Sequence, residues 1–272
     1  MSDEEFQVVS IPVQRRFSLD AGRMGRNRHI VYGLAEIDVT IARRFIRGHE
    51  AATGEKLSFT AYIVYCLAKA IDRHKEVHAY RNWRGQLVIF EAVNIVIMVE
   101  VTAGGRRVPS PYVLKAANRK TFRQIHDEIR AIQSKPQARE ERRFAGWFLR
   151  LPWPLRRMFY WTVQRFPQHF RELNSSVLVT AVGMFSRGAS WAITKPSHTL
   201  TLALGGIAEK PGVVDSRIEV REYLHLTLGV DHDIVDGAPI ARFGRDFATF
   251  VEEGYGLAGQ DGPYREGEAG AD

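Results

Sequence analysis

The stretch LTLGVDHDIVDGAPIARF, Leu226–Phe243, decides how the chain is read. A strand-forming run enters Asp231-His232-Asp233, and four residues after the histidine stand Asp236-Gly237. A helical pattern follows from Asp236 or Gly237, with Ile240, Phe243, Phe247 and Phe250 along one stripe. A histidine at a strand end, where the chain turns before a helix, can project its ring into a cleft. Its ordinary pKa of about 6.5 lets it accept a proton at neutral pH. A nearby carboxylate can fix its tautomer or order the turn. The DHDxxD pattern also allows a metal reading, but all its ligands would come from one strand end and no second cluster completes a shell. No metal is therefore expected. Taken alone, a single histidine in a turn is more often structural or merely exposed than catalytic.

Outward from this stretch, strands and helices interleave, which places the chain in the α/β class with a mixed sheet. His29–Thr40 reads as a strand that ends on Asp38 and Thr40, both helix-capping types, with a helix through Ile41–His49. Ser58 or Thr60 starts the next helix, in which Ile63, Leu67, Ala70 and Ile71 recur at helical spacing. Gln86–Phe90 and Ala92–Val101 are strand-forming, and VNIVIMVEV is apolar enough for a strand covered on both faces. Gly104 and Gly105 turn the chain. Arg119–Gln133 reads as a helix with Phe122, Ile125, Ile129 and Ile132 inward. Further strands are expected at Ser176–Val182, Thr199–Leu204, Arg217–Val220 and Tyr223–Val230.

Composition narrows the function classes. The single cysteine, Cys66, excludes an intramolecular disulfide framework and a zinc site built on paired thiolates. It lies inside a helical pattern with no basic neighbour, as an inert packed thiol does. The start carries no secretory signal, and no apolar run is long enough to span a bilayer. A cytoplasmic protein, soluble or peripheral at a membrane, is expected. The net charge of +7 is concentrated in residues 139–171, where eight arginines face two glutamates. A general nucleic-acid surface is not expected, because the remainder of the chain is nearly neutral.

The strand, His-x-x-x-Asp-Gly and Ala/Phe-rich helix together resemble the catalytic domain of the dihydrolipoamide acyltransferases of 2-oxoacid dehydrogenase complexes. That family is related in fold to chloramphenicol acetyltransferase. Five further stretches resemble the family in order: AEIDVT at 35–40, GEKLSFTAYIVYCLAKAIDRHKEVHA at 54–79, VNIVIMVEVTAGGRRVP at 93–109, VTAVGMF at 179–185 and ITKPSHTLTLALGG at 193–206. The resemblance runs from about Arg23 to Gly254. It implies a chloramphenicol acetyltransferase-like, two-layer mixed β-sheet with packed helices, assembled as a homotrimer with each site at a subunit interface.

Carried over residue by residue, the resemblance makes His232 the general base for a thiol (or hydroxyl) attacking an acyl thioester, with coenzyme A as substrate. Thr180 falls where the family has its oxyanion-stabilising serine; without the family it reads as an ordinary strand residue. Asp236 would brace the turn, Gly237 would permit its backbone, and Arg23 would pair with Asp236. Arg106 and Arg107 stand where the family has apolar channel residues, either meeting coenzyme A phosphates or simply solvated. Asp233 replaces an arginine beside the histidine and would favour the imidazolium, which motivates an alternative: a catalytically weak homologue acting as a trimeric scaffold or membrane-associated module.

The domain reading takes residues 1–22 as an N-terminal arm, 23–253 as the catalytic domain and 254–272 as a disordered tail. The chain starts at the catalytic core, so a lipoyl-bearing protein is expected to deliver any lipoyl acceptor in trans. An isolated trimer is expected because the polar tail has no apolar hook. An insert at 139–171, RRFAGWFLRLPWPLRRMFYWTVQRFPQHFR in its main part, holds three of the five tryptophans. It reads as two short amphipathic helices, forming either a lid on the trimer or a contact with a membrane surface.

Overall fold

Local signals set most element boundaries in the computed structural model, which describes residues 15–103, 106–134, 147–170, 175–183, 188–195, 197–258 and 262. Strand β1 (Ile30–Asp38) ends where the Asp38 carboxylate accepts hydrogen bonds from the Thr40 N–H and hydroxyl, opening helix α2 (Thr40–Thr53). Ser58 caps α3 (Phe59–Arg73) by accepting the Ala61 N–H. Short strands β2 (Tyr80–Arg81) and β3 (Leu87–Val88) form a separate hairpin. Then come β4 (Ile95–Ala103), β5 (Arg106–Leu114), α4 (Phe122–Ser134), β6 (Val177–Ala181), β7 (Leu200–Val214), β8 (Arg217–Asp231) and α6 (Gly237–Glu252). The chain also forms an N-terminal helix α1 (Arg15–Met24) and α5 (Trp153–Arg165).

The six-stranded sheet has the order β1-β8-β7-β6-β4-β5. The β4–β6 and β6–β7 pairs are parallel and the rest antiparallel, as a mixed α/β sheet requires. Helix α3 is buried from Ala61 to Leu67 without interruption, as a helix apolar all round must be. It packs on Ile95, Ile97, Val177, Val179, Leu200 and Leu202 within one hydrophobic cluster, with α4 and α6 beside it. Burial pushes the Cys66 thiol up to about 12, which leaves it a packing group with negligible thiolate.

Several elements depart from the sequence expectation. Strand β5 was not foreseen because Pro109 and Pro111 argue against a strand; it lies at the sheet edge, where a missing N–H is tolerated. The segments 217–220 and 223–230 form one strand. Its middle is held by Arg221 Nε donating to Asp38 at 2.7 Å and by Glu222 accepting from Arg43 and Arg47. Strand β7 continues past Leu204 through a bulge at Gly205–Gly206 and turns into β8 through Asp215 and Ser216, both with positive φ. In β4, Ile95, Ile97 and Val99 are buried, whereas Val96 and Met98 on the opposite face are half-buried. The strand expected to be covered on both faces is thus covered on one by its own chain.

The domain limits also shift. Residues 15–22 belong to α1, which is tied to the insert rather than forming a free arm. At the other end, Leu257 is buried and Tyr255 packs on the core, so the expected tail does not begin at Gly254. Gly256, at φ 75°, takes a position where a Cβ would collide with the Tyr65 ring. The tail beyond Ala258 lies outside the described residues except Gly262, and so does the Gly104–Gly105 turn. Among the described residues, no helix is long and apolar enough to cross a membrane.

One buried group couples the fold to acid. Burial pushes His78 down to about 4, and its Nδ1 lies 3.4 Å from Ser176 Oγ. In the unfolded chain the same imidazole protonates near 6.5, so between those values the unfolded state binds more protons and stability falls as pH falls. Denaturant unfolding should lose about 2 kcal/mol from this residue between pH 7 and pH 5. The acid limb should flatten in His78→Gln, and an unchanged limb would remove the assignment.

Candidate active site

His232 follows the last residue of β8, and its backbone N–H donates to His29 O at 2.8 Å, beside the start of β1. The side chain is exposed, and its imidazole makes no hydrogen bond among the described residues. The turn beneath it is held by Asp231, which is 4% exposed. Asp231 Oδ2 accepts from Arg28 at 2.8 Å and Oδ1 accepts the Asp233 N–H at 3.2 Å. Its carbonyl accepts the N–H groups of Ile234 and Val235. The braced strand end therefore presents an exposed ring with no hydrogen-bond partner among the described residues.

Asp231 rather than Asp236 is the bracing carboxylate. Asp236 is exposed at the N-cap of α6, and its side chain makes no hydrogen bond among the described residues. Arg23 is not its partner: that guanidinium lies 4.7 Å above the Trp153 ring and 3.8 Å from Asp20. The arginine that serves this corner is Arg28. Gly237 is not demanded by the backbone, since its φ is not positive and a Cβ there would meet nothing within 4 Å. Asp233 turns its carboxylate to His29 Nδ1, at 2.9 Å, rather than to His232.

Thr180 lies in β6, paired with Ala203 of β7, which is paired in turn with Thr227 of β8. Val177 and Val179 face the helices, so Thr180 points to the opposite face of the sheet, where it is half-buried. Its hydroxyl makes no hydrogen bond among the described residues. His232 is two strands away and five residues beyond Thr227, just past the end of β8, which separates the pair by about 19 Å at ordinary sheet spacings. One chain does not bring them together. Arg106 and Arg107 open β5 opposite Ala103 and Thr102, and their side chains lie outside the described residues.

Sequence reasoning missed Arg28, Asp231 and His198. Thr199 O accepts the Asp231 N–H, so His198, two residues before β7, comes beside His232. Its Nδ1 is 2.7 Å from Ser197 Oγ, and burial, helped by Arg28, pushes it down to about 4. No spacing in the sequence connects residues 28, 198 and 231; only the strand order does.

Two clefts of the chain lie away from His232. One, lined by Glu55, His126, Asp127 and Arg130 among others, gathers three metal-ligand types within 4.8 Å. There His126 Nδ1 accepts the Ser58 N–H, which leaves the proton on Nε2, and both Glu55 oxygens are bound by Arg123. That donor set does not suit a cation. The other cleft lies between α1 and the insert.

Comparison with known proteins bears on the same strands. The family described as 2-oxoacid dehydrogenases acyltransferase (catalytic domain) matches residues 29–143 and 168–258. The dihydrolipoyllysine-residue acetyltransferase component of the pyruvate dehydrogenase complex of Staphylococcus aureus is 28% identical over 237 residues, 84% of this chain and 47% of the relative. The corresponding component of Mycoplasma genitalium is 24% identical over 73% of this chain and 44% of its own. The chain thus spans about half the length of the curated relatives it matches. Among solved structures, a probable dihydrolipoamide acetyltransferase of Listeria monocytogenes superposes with TM-score 0.67 at 18% identity, covering 92% of this chain and 96% of that one. A truncated catalytic core of the 2-oxoacid dehydrogenase multienzyme complex from Thermoplasma acidophilum gives 0.65 at 22% identity, covering 91% and 99%. These last two likenesses concern the fold. With the family match extending over most of its length, on both sides of the arginine-rich insert, the chain belongs to the 2-oxoacid dehydrogenase acyltransferase catalytic-domain family.

Proposed function

We propose that the protein is a coenzyme A-dependent acyltransferase whose sites form between the subunits of a homotrimer, His232 from one protomer facing Thr180 of the next. The observation that carries this reading is the separation itself. An imidazole and a hydroxyl, each without a hydrogen-bond partner among the described residues, stand about 19 Å apart in one chain at ordinary sheet spacings. The sheet face around Thr180, with Val96, Met98 and Leu178, is apolar and only half-buried, as a surface awaiting a neighbouring protomer would be.

The chemistry is direct transfer. The imidazole of His232 takes the proton of an acceptor thiol as its sulfur bonds to the thioester carbonyl carbon. The ordinary thiol pKa of about 8.5 is close enough to that of imidazole for efficient transfer. The carbonyl oxygen becomes an oxyanion and receives a hydrogen bond from the Thr180 hydroxyl. Collapse breaks the bond to the coenzyme A sulfur, which leaves with the proton returned by the imidazolium. Dihydrolipoyl groups are the acceptor class, by analogy with the acetyltransferase relatives. The Asp233 carboxylate is engaged by His29 rather than by His232, which supports this reading over that of a weakened base.

Mixed trimers test the shared site. His232→Ala and Thr180→Ala chains, each weak alone, should regain about a quarter of the wild-type rate when co-assembled in equal amounts, because one ordered neighbour pair in four is intact. A mixture no more active than its parents would reject a site built from two chains.

A further inference from the structure

The family match leaves out residues 144–167, and the described part of this insert has a charge and surface pattern of its own. Residues 147–170 hold four arginines and no aspartate or glutamate. Helix α5 is anchored from within. Arg156, 4% exposed, donates to both oxygens of Asp20 and to Leu149 O and Leu151 O. The Trp83 N–H donates to Arg165 O, tying the far end of α5 to the β2–β3 hairpin. The helix is fixed on the body of the protein and cannot turn its other side inward without breaking a buried ion pair.

The side it presents outward is apolar. Leu155 is 49% exposed, Met158 62%, Phe159 38% and Trp161 53%. At 100° per residue these four span one broad face, with Arg157 at its margin and Arg165 at its C-terminal end, one turn beyond Trp161. The aromatic surface continues through Phe166, whose ring lies 6.5 Å from Trp161 and 6.4 Å from Trp83. At the N-terminal end of the same helix opens a cleft of about 320 Å³ lined by Arg16, Arg23, Arg150 and Arg156. Its one acid, Asp20, is taken by Arg156, so the cleft carries a positive surplus.

We propose that this face docks on an anionic phospholipid bilayer, with α5 lying in the interface plane and the arginine cleft receiving a headgroup phosphate. Three features select that occupant. Aromatic and thioether side chains with an arginine at the margin and another at the end of the face, without acids, match the boundary between acyl chains and phosphates. A second copy of the same face would bring like charge against like. The cleft and the apolar stripe adjoin, as a phosphate and its acyl chains do.

The test is co-sedimentation of the full chain with vesicles of phosphatidylcholine alone or with about one third phosphatidylglycerol. Wild type should partition onto the anionic vesicles and be released by raised salt. Met158→Ser with Trp161→Ser should lower partitioning at least about tenfold, and Arg157→Gln or Arg165→Gln about fivefold each. These side chains are outward-facing, so melting temperature should stay within about 2 °C of wild type. Three results would overturn the proposal. They are no partitioning of wild type on either vesicle, equal partitioning on both, and a fall in oligomer size by light scattering in the Met158/Trp161 variant. The last would make the face a contact between chains.

Discussion

Acyl transfer from acyl-coenzyme A to a dithiol acceptor is expected to fall about 10³-fold in His232→Ala, with KM for acyl-coenzyme A nearly unchanged. The argument rests on what the side chain does in the fold. Its imidazole bonds nothing among the described residues, and the strand end is held without it by Arg28, Asp231 and the His29 carbonyl. Removing the ring should therefore cost little stability while deleting the proton acceptor. Steady-state rates beside a thermal melt check both halves. A rate within tenfold of wild type in a folded, trimeric variant would refute the assignment, and a collapse of the melt would mean that His232 serves structure.

Gly183→Ala should destabilise the protein by about 3 kcal/mol or more, lowering the melting temperature by roughly 6–12 °C. A Cβ at residue 183 would sit 1.6 Å from Gly205 O and 2.2 Å from its carbonyl carbon, which are backbone atoms that no rotamer change can move aside. Gly205 is itself pressed against Ser190 O, where a Cβ would fall at 1.9 Å. Three backbone segments therefore meet at the β7 bulge without room for a side chain. Because residue 183 lies two positions past the end of β6, pushing it off β7 should also displace Thr180, so activity should fall more steeply than the folded fraction. A melt within about 2 °C of wild type would show that the segments separate freely, contrary to the packing described.

Helix α3 and strand β6 were legible because their information is local: a serine cap before an apolar helix, and a short β-branched run. Strand β5 was not, because two prolines lower its strand propensity and only its edge position, a property of strand order, makes them harmless. The joining of 217–220 to 223–230 depended on Arg43, Arg47 and Asp38, more than 170 residues away in sequence. At the candidate site, the histidine and threonine could be named from their motifs. Their supporting partners could not be, since Arg28 and Asp231 are separated by 203 positions.

The amino-acid sequence alone determined the α/β class, the strand-to-helix turn that presents His232, the inert thiol and the cationic insert. Each of these is written in neighbouring residues through periodicity, capping and charge. Tertiary structure decided which carboxylate braces the turn, which arginine meets it, which side of α5 faces outward and how far Thr180 lies from His232. Those outcomes depend on strand order and on the pairing of buried charges, and distant residues become neighbours only once the sheet has closed around its core.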